Sequence, residues 1–135
     1  TARAAGVASR IHWPGMLRGD DKWGAFHASE AFILPSHQEN FGIAVAEALA
    51  CGKPVLLSDK VNIAPEIAAA GAGLVEIDTR EGVERLLARW IEMPPQERSA
   101  MAQCARNCFH ERFDMRENAK TILRLFETAP AKSGG

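Results

Sequence analysis

Neither sign of charge is in excess in this sequence. Its 16 Lys and Arg meet 17 Asp and Glu, a formal net charge of −1 over 135 residues. Without a basic surplus, nucleic acid and anionic membrane surfaces are poor partners. Long hydrophobic runs are missing as well: none approaches the ~18 residues of a membrane-spanning helix. Cysteine is scarce. Three widely spaced residues, Cys51, Cys104 and Cys108, argue against a disulfide framework and for a reducing compartment. The expected location is cytoplasmic, with a longer enzyme able to sit against the inner face of a membrane. Internal repeats and low-complexity segments are absent too.

What is present is ordinary for one globular domain: 47% hydrophobic and 24% charged residues. The expected domain covers 1–128, and "APAKSGG", 129–135, reads as a flexible tail. "TARAAGVASR" reads as the end of a helix closing near Gly6, so the chain is expected to be a piece of something longer. Short apolar runs then alternate with helical patterns. Ile11–Trp13 in "RIHWPG", "EAFILP", "PVLLS" and "GLVEI" read as strands. "GDDKWGAFHAS" reads as a helix with Asp20 as N-cap, and "VNIAPEIAAA" as a short helix with a proline near its start. A helix is expected from about Gly42 to Cys51, stopped by Gly52. Val83, Leu86, Leu87, Trp90 and Ile91 follow the spacing of one apolar helix face; Met101, Cys104, Ala105, Cys108 and Phe109 repeat it, as do Ala119, Ile122, Leu123 and Phe126. Asp114 and Glu117 form a capping box for the last helix. Apolar strands alternating with helices predict an α/β fold: a Rossmann-like parallel sheet flanked by helices. In such sheets ligands bind beyond the carboxyl ends of the strands. "SHQENFG" follows one such end.

The helix after it poses a chemical question. From Gly42 to Cys51 its only charge is Glu47, and Glu39 stands just outside it. The first N–H groups of a helix lack intrahelical partners and carry partial positive charge, which suits a phosphate. Gly42 would let a ligand approach that backbone. An ionised carboxylate buried without partners costs several kcal/mol. Vicinal hydroxyls are suitable partners, since one carboxylate accepts two O–H bonds in parallel. Two carboxylates flanking a helix start fit sugar, phosphates and sugar in line, the form of a nucleoside diphosphate sugar. The competing reading pairs Glu47 with an Arg or Lys of a missing part and leaves Glu39 solvated.

The block "FILPSHQENFGIAVAEALACGKPVLLS" resembles the signature of the group 1 (family four) retaining glycosyltransferases of GT-B fold, whose hallmark is Glu, seven residues, Glu, here Glu39 and Glu47. "RIHWPGML", "PEI" and "GAGLV" extend the resemblance over nearly the whole chain. It implies the C-terminal, nucleotide-sugar-binding half of such an enzyme, lacking its first strands. It implies that Glu39 contacts the donor sugar and supports charge at its anomeric carbon. It further implies that the main chain of Asn40, Phe41, Gly42 and Ile43 binds sugar and diphosphate, and that Glu47 holds the ribose hydroxyls. Trp13–Leu17 resembles the segment beside the base. The donor would be a UDP-sugar or GDP-sugar, the transferred group a hexose, the acceptor a hydroxyl; no cofactor and no metal are expected.

The family's acceptor-binding N-terminal domain has no counterpart here, nor have the Arg and Lys that neutralise its diphosphate leaving group. Catalysis by the isolated chain is therefore not expected. A non-catalytic nucleotide-binding or assembly module is the alternative, and a GT-B epimerase a third reading. Other residues read more plainly: Asp20 and Asp21 as helix caps rather than metal ligands, Cys104, Cys108 and His110 as packing rather than zinc chemistry, and Cys51 as a small buried residue. His37 reads as a solvated loop residue, Lys53 as a turn residue, and Asn62 and Glu66 as anchors of the short helix. The resemblance also places two missing strands between Ile11–Trp13 and Ala31–Leu34. An apolar strand edge left open invites another strand. Either Ile11–Trp13 pairs directly with Ala31–Leu34, or two chains join there as a homodimer.

Overall fold

The computed structural model describes residues 3–38 and 42–113. The expected capping box at Asp114 and Glu117, the stripe Ala119–Phe126 and the tail 129–135 lie outside these residues. The described chain runs α1 (Asp20–Ala28), β1 (Phe32–Leu34), α2 (Ile43–Ala50), β2 (Val55–Ser58), α3 (Ala64–Ala70), β3 (Gly73–Glu76), α4 (Arg80–Glu92) and α5 (Pro95–Arg112). The strands form one parallel sheet in the order β1-β2-β3, with Phe32 opposite Val55 and Val55 opposite Gly73. Parallel strands need crossovers, and α2 and α3 supply them.

All four residues of β2 are buried, which marks it as the central strand covered on both faces. Val55 and Leu57 point to one side, into a core with Val45, Ala48, Leu49, Ile67, Ala105 and Cys108 from α2, α3 and α5. Leu56 points to the other, where Leu74, Leu86 and Trp90 receive it. The sheet is thus a middle layer between helices.

Helix α2 forms for a plain reason: its residues are small or straight-chained and four of the eight are buried. Its end follows from Gly52. Gly52 N–H donates to Leu49 and Lys53 N–H to Ala48, both at 2.9 Å, with Gly52 at φ +71. This is a Schellman closure, and it turns the chain straight into β2. A β-carbon at Gly52 would also lie 2.6 Å from Arg106 Nε.

The structure departs from the sequence expectations at several places. Residues 3–6 form a turn, in which Gly6 N–H donates to Arg3, not the end of a helix. Ile11–Trp13 forms no strand and does not pair with β1. Trp13 is 84% exposed. Pro14 removes the next ladder donor and Gly15 turns the chain at φ +75, so this run cannot extend along a neighbour. The sheet therefore has three described strands, not four, and β1 is an edge rather than a buried strand. Ile33 on that edge is exposed. Beside it lies a cleft of roughly 350 Å³ between β1 and α1, lined by Leu17, Lys22, Phe26 and Ile33 among others. The N-cap of α1 is Gly19, and Asp20 and Asp21 are its first two residues, favourable to the helix dipole. On α4 only Leu86 and Trp90 of the expected stripe are buried, while Leu87 and Ile91 face outward. The helix meets the sheet along one line of i, i+4 residues, and nothing described covers the adjacent line.

Two outcomes are expected. Gly52→Ala should destabilise the fold by about 1–3 kcal/mol, because a β-carbon is strained at positive φ and the site is already filled; a urea titration reads this as a lower midpoint with unchanged slope. Burial pushes the Cys108 thiol up from its ordinary value, with weaker effects from Arg112, Glu111 and Cys104. The thiolate is the reactive form, so a thiol reagent at neutral pH should modify Cys108 only as fast as the protein unfolds.

Candidate functional site

The carboxyl ends of β1, β2 and β3 release three loops on one rim of the sheet. The first, Pro35–Gln38, is fastened from below. Ser58, buried at the end of β2, donates its hydroxyl to the Ser36 carbonyl. Ser36 Oγ in turn donates to the Gln38 carbonyl at 2.9 Å. His37 Nδ1 lies 3.1 Å from Asp78 Oδ2, in the loop after β3. His37 is therefore solvated, as expected, yet its ring is tied across the end of β2. Asp78 is held below the ordinary carboxylate range, first by the hydrogen bond from His37, with burial opposing and Lys60 adding a smaller favourable charge.

Past this loop α2 starts. Gly42 is its N-cap, with φ −79, and no side chain among the described residues caps the first turn. The first helical bond runs from Ala46 N–H to the Gly42 carbonyl at 3.0 Å. The N–H groups of Ile43, Ala44 and Val45 thus have no intrahelical acceptor, the local condition for binding an anion. Gly42 has a second cause. A β-carbon there would lie 2.8 Å from Val45 Cγ2, so any larger residue would have to displace the buried Val45 side chain. Ile43 is 42% exposed at this end.

Glu47 lies in the second turn of α2, with 19% of its side chain exposed. Its partner is Lys22 in the first turn of α1, with Nζ 2.8 Å from Oε2. Oε2 is buried against this ammonium and accepts no hydrogen bond among the described residues. The Lys22 ammonium also sits 4.9 Å from the Trp23 ring centroid. The counter-charge comes from within this chain, not from a missing part.

Of the expected site residues, Gly42, Ile43 and Glu47 are gathered at the start of α2. Glu39, Asn40 and Phe41 lie outside the described residues, between the fastened loop and Gly42. Sequence reasoning missed Lys22, Ser58 and Asp78. Lys22 was findable in principle, since an isolated carboxylate demands a cation and only a few precede it. Lys53 is confirmed as a turn residue: it donates to the His27 carbonyl at 3.3 Å, on the opposite rim. Cys51 closes α2 and is only partly buried. Glu66 stands in the first turn of α3, and its Oε2 is also buried without a hydrogen bond among the described residues.

Comparison with known proteins bears on the family and the fold. The family model for glycosyl transferases group 1 matches residues 1–108. A D-inositol 3-phosphate glycosyltransferase of Saccharomonospora viridis is 29% identical over 119 residues, 87% of this chain and 27% of that protein. An O-antigen chain mannosyltransferase B of Escherichia coli is 35% identical over 65 residues, 48% of this chain and 16% of that protein. The chain thus spans about a quarter or less of these relatives. Among solved structures, sucrose-phosphate synthase from Thermosynechococcus elongatus superposes with a TM-score of 0.78 at 20% identity, over 98% of this chain and 33% of that one. That likeness establishes the GT-B fold for the region.

The His37–Asp78 contact carries its own expectation. Asp78 has a depressed folded pKa, so its contribution is present above the unfolded value of about 3.9 and is lost as pH falls through the lower folded value. His37→Ala should return the Asp78 carboxyl titration, followed by NMR, towards the ordinary range. An identical titration in both proteins means the contact does not form in solution.

Proposed function

Because this chain belongs to the glycosyl transferases group 1 family, we propose that it is the donor-binding portion of an enzyme that transfers a hexose from a nucleoside diphosphate sugar to a hydroxyl acceptor. The observation that carries this reading is the Glu47 carboxylate: set in an apolar helix, 19% exposed, and charge-compensated at Oε2 by Lys22. It lies just inside a helix start with three N–H groups lacking intrahelical acceptors. A diphosphate on those N–H groups brings a ribose diol to the carboxylate, where two O–H donors complete its hydrogen bonding.

The donor is a UDP-sugar or GDP-sugar. Glu39, Asn40 and Phe41 reach the hexose and diphosphate in this reading, with Glu39 supporting positive charge at the anomeric carbon as the leaving group departs with retention. No metal is assigned: Asp20 and Asp21 serve the dipole of α1. The isolated chain binds donor without turning it over, because leaving-group stabilisation by cations and the acceptor domain belong to other parts of a longer enzyme. That enzyme works in the cytoplasm.

Two mutants test the assignment in the full-length protein. Glu47→Ala should weaken nucleoside diphosphate binding by roughly 1.5–3 kcal/mol, the worth of hydrogen bonds to a charged group; calorimetry showing wild-type affinity would remove the ribose assignment. Glu39→Ala should lower turnover much more than nucleoside diphosphate affinity, since free diphosphate carries no hexose for Glu39 to touch. An equal loss of both, or activity abolished by EDTA, contradicts the proposed roles.

A further inference from the structure

Lys22 reaches the binding carboxylate from another helix, and the manner of its approach is informative. A carboxylate offers about four acceptor sites, so one ammonium compensates its charge without using them all. Here Nζ stands 2.8 Å from Oε2, and Oε2 still accepts no hydrogen bond among the described residues. The charge is compensated through Oε2, which is closed to solvent, and the acceptor sites of the other oxygen remain for a ligand. Without such compensation a carboxylate 19% exposed in an apolar helix would be costly to hold. With full saturation it would have no lone pairs to offer a diol.

Resting on the ribose assignment above, we propose that Lys22 is a positioning residue of the ribose subsite. It fixes the orientation of Glu47 by holding Oε2, so that Oε1 is left for incoming hydroxyls. Three features hold Lys22 in this duty. It belongs to the first turn of α1, near the carboxyl-end rim. Its stem lines the apolar cleft beside Phe26 and Ile33. Its ammonium rests against Trp23. Lys22 is 38% exposed, so it can move slightly to admit a ligand without unfolding α1. The chemical class recognised through the pair is a vicinal diol on a nucleoside diphosphate. A 2′-deoxy nucleotide presents one hydroxyl and should exploit the prepared carboxylate poorly.

The test compares a nucleoside diphosphate with its 2′-deoxy analogue, both titrated calorimetrically into the full-length protein. The wild type should favour the ribose form by about tenfold or more, the scale of losing a hydrogen bond to a charged group. Lys22→Met keeps the stem in the cleft and removes the charge. It should shrink that preference to about twofold or less, while Lys22→Arg restores most of it. In a Glu47→Gln background, Lys22→Met should change affinity by less than about twofold, because the lysine acts through the carboxylate. Thermal melting of each variant checks folding, with Lys22→Gln in reserve if the methionine variant melts early. An undiminished ribose preference in the folded Lys22 variants overturns this inference and leaves the ribose assignment standing. A wild type without ribose preference, matched by Glu47→Gln, overturns the ribose assignment itself.

Discussion

An ionised carboxylate placed in a helix of Ala, Val, Ile and Leu must find a counter-charge, and at the mouth of this sheet it finds one. The contact between Lys22 and Glu47 joins α1 to α2 at 2.8 Å, and much of the local arrangement serves it. Helix α2 can bury its other faces because they are small and apolar. Helix α1 brings its first turn to the same rim because its far end closes against Ser29, where the chain reverses into β1. Both side chains keep some exposure, 38% for Lys22 and 19% for Glu47, so the pair adds only modestly to stability by itself. In the proposed function its importance is that it holds a charged acceptor for a polar ligand.

Around that pair, the rim is built from anchors on the sheet. The buried hydroxyl of Ser58 holds the loop after β1 by its Ser36 carbonyl. His37 carries the same loop across to Asp78 after β3. The backbone therefore arrives at residue 38 with its direction set, and leaves residue 42 as a helix whose first turn no described side chain caps. A parallel sheet presents all its strand ends to one side, which is why residues from three loops and two helices meet there.

Much of this was legible in the sequence, and the illegible parts share a cause. "PVLLS" announced a strand buried on both faces, and all four residues of β2 are buried. Gly52 announced the end of α2, because a positive φ at that point needs glycine. Glu47 stood out because charge is rare in such a helix. These are local properties. Ile11–Trp13 looked like a strand, yet a strand exists only beside a partner, and composition does not show who stands alongside. Leu87 and Ile91 fit an apolar stripe, but periodicity does not tell how wide a face the sheet can cover. Lys22 escaped notice because its meaning lies in a contact between two helices far apart in sequence. Gly42 read as room for a ligand; that the β-carbon it lacks would also strike Val45 shows only in the packing.

The central claim is that the carboxylate of Glu47 receives a ribose diol above the start of α2. A crystal structure of the full-length protein with a nucleoside diphosphate bound tests it most directly. The account predicts both ribose hydroxyls within hydrogen-bonding distance of the Glu47 oxygens, the diphosphate on the N–H groups that follow Gly42, and Lys22 still beside the carboxylate. A nucleotide whose ribose lies elsewhere, with Glu47 touching only Lys22, would contradict it.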